Sequence, residues 1–72
     1  MELPRDAEAR LVALAHDLRT PLAIMAGFTE LLLTREDSLT PEQRHEYIER
    51  TQAAAVEMRS ILDAERAERQ GS

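Results

Sequence analysis

The chain carries two stripes of apolar residues separated by a short polar stretch. Apolar residues recur at alternating steps of three and four from Leu11 to Leu32, and again from Ile48 to Leu62. These steps place side chains on one face of an α-helix. The 72 residues therefore predict a single domain, 1–72, in which helix 1 covers about residues 5–36, a loop about 37–40, and helix 2 about 41–68.

Residues between the two stripes are typical of a turn followed by a helix start. Asp37 and Ser38 favour a turn. Thr40 suits the N-cap, Pro41 the first helical position, and Gln43 the third position, where its side chain closes a capping box. Because the loop is short, we predict that the two helices are antiparallel neighbours.

A two-helix hairpin has no enclosed interior of its own, yet 43% of the residues are hydrophobic. The apolar stripes are therefore best buried between chains. We predict an all-α fold in which an antiparallel two-helix hairpin homodimerises into a four-helix bundle. The predicted core of this dimer consists of Leu11, Leu14, Leu18, Met25, Phe28, Leu32, Ile48, Ala55, Met58 and Leu62.

The composition argues against a nucleic-acid-binding module, a disulfide-bonded domain and a membrane span. The net charge is −5, and acidic and basic residues are interspersed, so the basic stripe of a nucleic-acid-binding module is missing. Without cysteine the chain has no disulfide framework, which is compatible with a cytoplasmic location. No apolar run approaches the roughly 18 residues of a membrane span. We therefore expect no direct membrane contact from this segment and no signal peptide.

One stretch of helix 1 departs from an ordinary amphipathic pattern. At about 100° per residue, His16 lies roughly 200° from Leu14 and Leu18, so its ring is expected to point into water. Asp17 is adjacent, and Thr20 returns to the same face one turn later. Pro21 lacks an N–H and crowds the preceding turn, at about 3 kcal/mol, which predicts a bend in the helix.

These residue types suit phosphoryl chemistry. An ordinary imidazole has a pKa of about 6.5, so a neutral ring nitrogen is a nucleophile near pH 7 and can carry a phosphoryl group. The Asp17 carboxylate can orient the ring and stabilise its developing positive charge. A lone exposed histidine is otherwise an ordinary surface residue. That is the expectation for His45, which has no proline or small-residue patch nearby and lies too far along the chain to form a zinc site with His16.

Small side chains leave a shallow surface on helix 1 on the C-terminal side of His16. This patch contains Ala23, Ile24, Gly27 and Leu31. Alanine is also simply the best helix former, but Gly27 costs about 1 kcal/mol relative to alanine in a helix interior. The patch is a candidate surface for a partner helix.

The run His16-Asp17-Leu18-Arg19-Thr20-Pro21-Leu22 resembles the H-box of the dimerisation and histidine-phosphotransfer domain of bacterial sensor histidine kinases. The resemblance covers nearly the whole chain, because the family also forms a helical hairpin. Asp17 stands where many members carry Glu, and Thr20 where many carry Asn; both variants occur within the family pattern.

The resemblance implies a function in two-component signal transduction. A separate catalytic domain that binds ATP and Mg²⁺ would phosphorylate His16, which would pass the group to an aspartate of a response-regulator receiver domain. A helix of that receiver would dock on the small-residue patch. Thr20 would orient water for dephosphorylation of the regulator, and Pro21 would supply the bend for the catalytic domain. Arg19 would contact acidic groups or phosphate, or is a solvated surface residue.

Two other functions remain open at this point. The chain could be an inert helical dimerisation module, or a histidine phosphotransfer intermediate, which usually needs four helices from one chain. The sequence does not identify the stimulus, the cognate regulator, or whether the protein containing the chain is anchored in the inner membrane. It also leaves open whether phosphorylation occurs within or between subunits.

Overall fold

The fold is an antiparallel hairpin of two long helices. The computed structural model describes the backbone of residues 5–71 and the side-chain surroundings of residues 6–66. Helix α1 is Arg5–Thr34 and helix α2 is Pro41–Gly71, and they pack against each other. The all-α hairpin is therefore confirmed. Helix α1 ends two residues before the predicted boundary, and α2 continues three residues beyond it.

The early end of α1 has a local cause in the loop. The carbonyl of Arg35 accepts hydrogen bonds from the backbone N–H groups of Ser38 (2.9 Å) and Leu39 (3.1 Å), which close a tight turn. The Arg44 guanidinium, on the first turn of α2, donates to the carbonyl of Glu36 at 2.8 Å. The loop backbone is thus held by α2 rather than by another turn of α1.

The predicted start of α2 is confirmed in detail. The Gln43 backbone N–H donates to Thr40 Oγ1 at 3.0 Å, and the Thr40 N–H donates to Gln43 Oε1 at 2.9 Å. This reciprocal pair is a capping box, which satisfies backbone donors that the first helical turn leaves free. Pro41 occupies the first helical position, where no N–H is needed.

Two side-chain pairs fix the register between the helices. Near the loop, the rings of Phe28 and Tyr47 have centroids 5.2 Å apart at an angle of 42°. Toward the open end of the hairpin, Arg10 and Glu65 form an ion pair at 3.5 Å. The two pairs are eighteen residues apart on each helix, so the antiparallel helices keep one register along their contact.

The close approach of the helices occurs at Pro21 on α1 and Ala54 on α2. Pro21 is fully buried, and Ala54 is 4% exposed. Ala54 lies seven residues from both Tyr47 and Ile61, which are half-buried. The face of α2 that packs on α1 is therefore this Tyr47–Ala54–Ile61 set, together with the half-buried Thr51 and Met58.

The predicted dimer-core residues divide into two groups in the hairpin. Half-buried members belong mainly to α1, where the apolar stripe packs toward α2; they are Leu14, Leu18, Met25, Phe28, Leu32 and, on α2, Met58. The exposed members are Leu11, Ile48, Ala55 and Leu62. Of these, Leu11, Ile48 and Leu62 are about half exposed, at 46%, 51% and 47%. One hairpin thus leaves a large apolar surface in contact with water.

The hydropathy of α1 bears on the expectation that this segment does not contact a membrane. By length and composition alone, Asp6–Thr34 is long and apolar enough to cross a membrane, which is weak evidence because the helix of a soluble bundle has the same character. Only 6% of its most apolar stretch is buried in the hairpin. However, His16, Asp17 and Arg19 occupy the middle of this helix, where charged side chains are costly in a bilayer. The apolar composition of α1 therefore fits a helix of a bundle, one face of which α2 does not cover.

Candidate phosphoacceptor site

His16 stands on the outer surface of α1, five residues before Pro21. Its side chain is 81% exposed, whereas Leu14 and Leu18 on either side are half-buried. The difference follows from helix geometry, because residues two apart on a helix point in nearly opposite directions. The ring is therefore open to another molecule while its backbone belongs to a packed helix.

The Asp17 carboxylate lies beside one nitrogen of the ring. Asp17 Oδ1 is 3.7 Å from His16 Nδ1, close enough for charge interaction but longer than a hydrogen bond. The Asp17 side chain is itself 62% exposed. Among the described residues, Nε2 of His16 has no hydrogen-bond or ionic partner. The ring thus presents one nitrogen toward a carboxylate and the other toward solvent.

The histidine forms one wall of an open pocket between the helices, here called the His16 pocket. Its volume is about 380 Å³, and it is lined by His16, Asp17 and Thr20 of α1 and by Glu57 and Ile61 of α2. The structure therefore brings together the three polar residues that the sequence singled out. It adds two residues of α2 that sequence reasoning missed. Ile61 belongs to the face of α2 that packs on α1, but placing Glu57 requires the register between the helices.

Pro21 follows this pocket and interrupts the backbone hydrogen bonding of α1. Helix α1 continues through Pro21 without a break. Because proline has no N–H, the carbonyl of Asp17 has no helical donor from residue 21. The pyrrolidine ring is fully buried. A backbone defect is therefore held in place by packing, one turn beyond the exposed histidine.

Only part of the predicted partner-binding patch lies beside α2. Ile24 contributes to a second cavity of about 260 Å³, the Phe28 groove, which is lined by Ile24, Phe28, Arg50, Ala53, Ala54 and Glu57. Ala23 and Gly27 are exposed, and Leu31 is half-buried. A Cβ built on Gly27 would meet nothing within 4 Å, so the hairpin itself does not require glycine there.

Two other polar residues considered from the sequence lie apart from the pocket. Arg19 is exposed and is not among the residues that line the His16 pocket. His45 Nε2 lies 2.9 Å from Glu49 Oε1, one turn further along α2, and both side chains are at least two-thirds exposed. Within the described part of the chain, no three His, Cys, Asp or Glu side chains converge into a set that could hold a metal ion.

Comparison with protein families identifies the class to which this arrangement belongs. The His Kinase A (phospho-acceptor) domain model matches residues 11–68, which is most of the chain. The chain therefore belongs to the histidine kinase A phospho-acceptor domain family. Domains of this family are parts of histidine kinases, and they generally dimerise and act with kinase catalytic and receiver domains. Comparisons with curated proteins and with solved structures found no match.

We predict that Pro21→Ala stabilises the hairpin even though Pro21 is buried. Alanine restores an N–H donor for the Asp17 carbonyl and removes a helix penalty of about 3 kcal/mol. Loss of two buried methylene groups costs about 1.6 kcal/mol. Urea unfolding at fixed protein concentration should therefore show a gain of about 1 kcal/mol.

Pro41→Ala is the matched control for this measurement. Pro41 lies at the first position of α2, where proline is favourable, so its replacement should leave stability unchanged or slightly lower. A loss of stability in Pro21→Ala would show that packing of the proline ring outweighs the backbone defect.

Proposed function

We propose that the chain is the phosphoacceptor and dimerisation domain of a sensor histidine kinase. His16 receives a phosphoryl group from ATP and passes it to an aspartate of a response regulator. The observation that carries the proposal is the exposed His16 ring within the family-matched helix, with Asp17 beside Nδ1 and no partner at Nε2. A separate catalytic domain binds the phosphoryl donor, ATP, together with Mg²⁺.

We propose that Nε2 is the reacting nitrogen, because Asp17 lies near Nδ1 and Nε2 has no partner among the described residues. The lone pair of Nε2 forms a bond to the γ-phosphorus of ATP, and the bond between that phosphorus and the bridging oxygen of ADP breaks. As the ring gains positive charge, the Asp17 carboxylate near Nδ1 stabilises it and holds the proton on that side. The second transfer reverses this charge, since the ring becomes neutral when the group leaves for the regulator.

Neighbouring residues have proposed roles that follow from their positions. Thr20 lines the same pocket, so its hydroxyl can orient a water molecule when the regulator is dephosphorylated. The backbone defect at Pro21 provides the bend against which the catalytic domain approaches. Arg19 is exposed beside the site and is available to phosphate or to acidic groups of a partner.

Dimerisation completes the fold in this proposal. Large hydrophobic side chains that one hairpin leaves exposed include Leu11, Ile48 and Leu62, which lie on both helices. A second copy covers them, and the two hairpins form a four-helix bundle. The dimer core contains these positions together with the half-buried stripe of α1.

The proposed partners approach from the outer surface. The receiver domain places a helix against Ala23, Ile24, Gly27 and Leu31, beside the histidine. Domains of this family typically lie in the cytoplasm, and we propose the same location for this chain.

Replacement of the histidine tests the site assignment directly. The full-length polypeptide that contains the chain should be incubated with Mg²⁺ and ATP labelled at the γ-phosphorus. We expect acid-labile label on the wild-type protein and none on His16→Gln. The matched control is His45→Gln, because His45 is similarly exposed and lies outside the pocket, and it should label normally. Label that persists on His16→Gln, or a dimeric wild-type protein that never labels, contradicts the proposal.

The same assay measures the role of Asp17. Asp17→Asn keeps the shape of the side chain but removes its charge, so the rate of labelling should fall by about 100-fold while the dimer persists. Asp37→Asn, in the exposed loop, makes the same chemical change far from His16 and should have no effect. An unchanged rate in Asp17→Asn would exclude the proposed stabilisation of the ring.

A further inference from the structure

Glu57 places a second carboxylate in the pocket of the histidine. It is exposed and lies three residues after the buried Ala54 and four residues before the half-buried Ile61, so it is at the edge of the face of α2 that packs on α1. It lines both the His16 pocket and the Phe28 groove. Apart from His16, the two charged side chains lining the His16 pocket are both acidic, Asp17 from α1 and Glu57 from α2.

In the part of the chain that the structure describes, the Glu57 carboxylate forms no ion pair, and Arg50, which lines the same Phe28 groove, is paired with Glu46. Among the described residues Glu57 has no hydrogen-bond partner either. Two other glutamates of α2 do have cationic partners: Glu46 pairs with Arg50 at 3.3 Å, and Glu65 pairs with Arg10 at 3.5 Å. The structure therefore places an exposed carboxylate, with no ionic partner among the described residues, in the pocket that His16 lines.

We propose that the Glu57 carboxylate, by charge repulsion, limits how firmly a phosphoryl group is held on His16. A phosphoryl group on Nε2 brings negatively charged oxygens into a pocket that already contains two carboxylates. Like charges repel, and the repulsion raises the free energy of the phosphorylated state relative to the free ring. The inference rests on the proposed role of His16 as a phosphoryl carrier. Its consequence is a carrier that loads less readily and releases its group more readily.

The inference can be tested on the 72-residue chain with potassium phosphoramidate as the phosphoryl donor. The P–N bond of the donor breaks, a new P–N bond forms to a histidine ring nitrogen, and the ring proton leaves with the amine as ammonium. During later hydrolysis, the oxygen of water forms a bond to phosphorus, the P–N bond to the ring breaks, and the ring nitrogen regains a proton that water supplies. No catalytic domain is needed for either step.

His45 provides an internal reference in every sample. It is 75% exposed and lies on the first turns of α2, outside the His16 pocket. Phosphorylation at the two histidines is followed separately by mass spectrometry of peptides and by ³¹P NMR. The ratio of the rates at His16 and His45 removes differences in reagent concentration, pH and temperature.

Glu57→Gln should load His16 about threefold faster and release its phosphoryl group about threefold more slowly, with no change at His45. Glu57→Lys should increase both effects, and Glu57→Asp should restore wild-type rates. The differences should shrink in 1 M salt, where the Debye length falls to about 3 Å. A merely structural role for Glu57 would not produce this dependence on charge and salt.

Glu30→Gln is the matched control, with circular dichroism to check that each variant is folded. Glu30 is exposed on α1, fourteen residues from His16, which is about 21 Å along the helix and beyond the Debye length at physiological salt. It should leave the rates at His16 unchanged.

Equal rates at His16 in wild type, Glu57→Gln and Glu57→Lys would overturn the inference, as would failure of His16 to load while His45 does. Either result is distinct from failure of the proposed function, which is the absence of labelling by ATP in the full-length polypeptide.

Discussion

The architecture depends on the amount of apolar surface that two helices can bury against each other. Two helices in contact cover only one stripe of each, and among the described residues the buried ones are Pro21 and Ala54. Leu22 remains 54% exposed, Val12 70% and Ile48 51%. Because burial of apolar surface is the main favourable term in folding, one hairpin is an incomplete unit. The exposed apolar surface is therefore expected to be covered by another protein surface, and His16 is then displayed from that larger assembly.

The same packing constraint turns the proposed phosphoacceptor outward. The apolar stripe of α1 must face α2, and the helical repeat then turns His16 away from the contact into water. Asp17 follows it by a single step and remains near the ring. On α2, Ala54 allows close approach, which brings Glu57 and Ile61 to the same pocket. The site is therefore built by packing between helices rather than by a dedicated loop.

Patterns among residues that are close in sequence predict much of this structure. The capping box at Thr40 and Gln43, the two helices and the outward direction of His16 all depend on spacing within a few residues. The packing face of α2 was harder to predict, because Tyr47 and Ile48 begin neighbouring stripes with the same heptad spacing. Spacing alone does not reveal which stripe meets α1. Glu57 was missed for a related reason, since its proximity to His16 depends on the register between the helices.

The central claim is that a second copy of the chain covers the exposed stripes of both helices. Multi-angle light scattering after size exclusion measures this directly. The account predicts a mass twice that of the 8.2 kDa chain, and loss of the dimer in Ile48→Glu, where a charge replaces a half-exposed apolar residue. Glu49→Gln on the adjacent surface should leave the dimer intact. A folded wild-type protein with the mass of one chain at micromolar concentration would contradict the account.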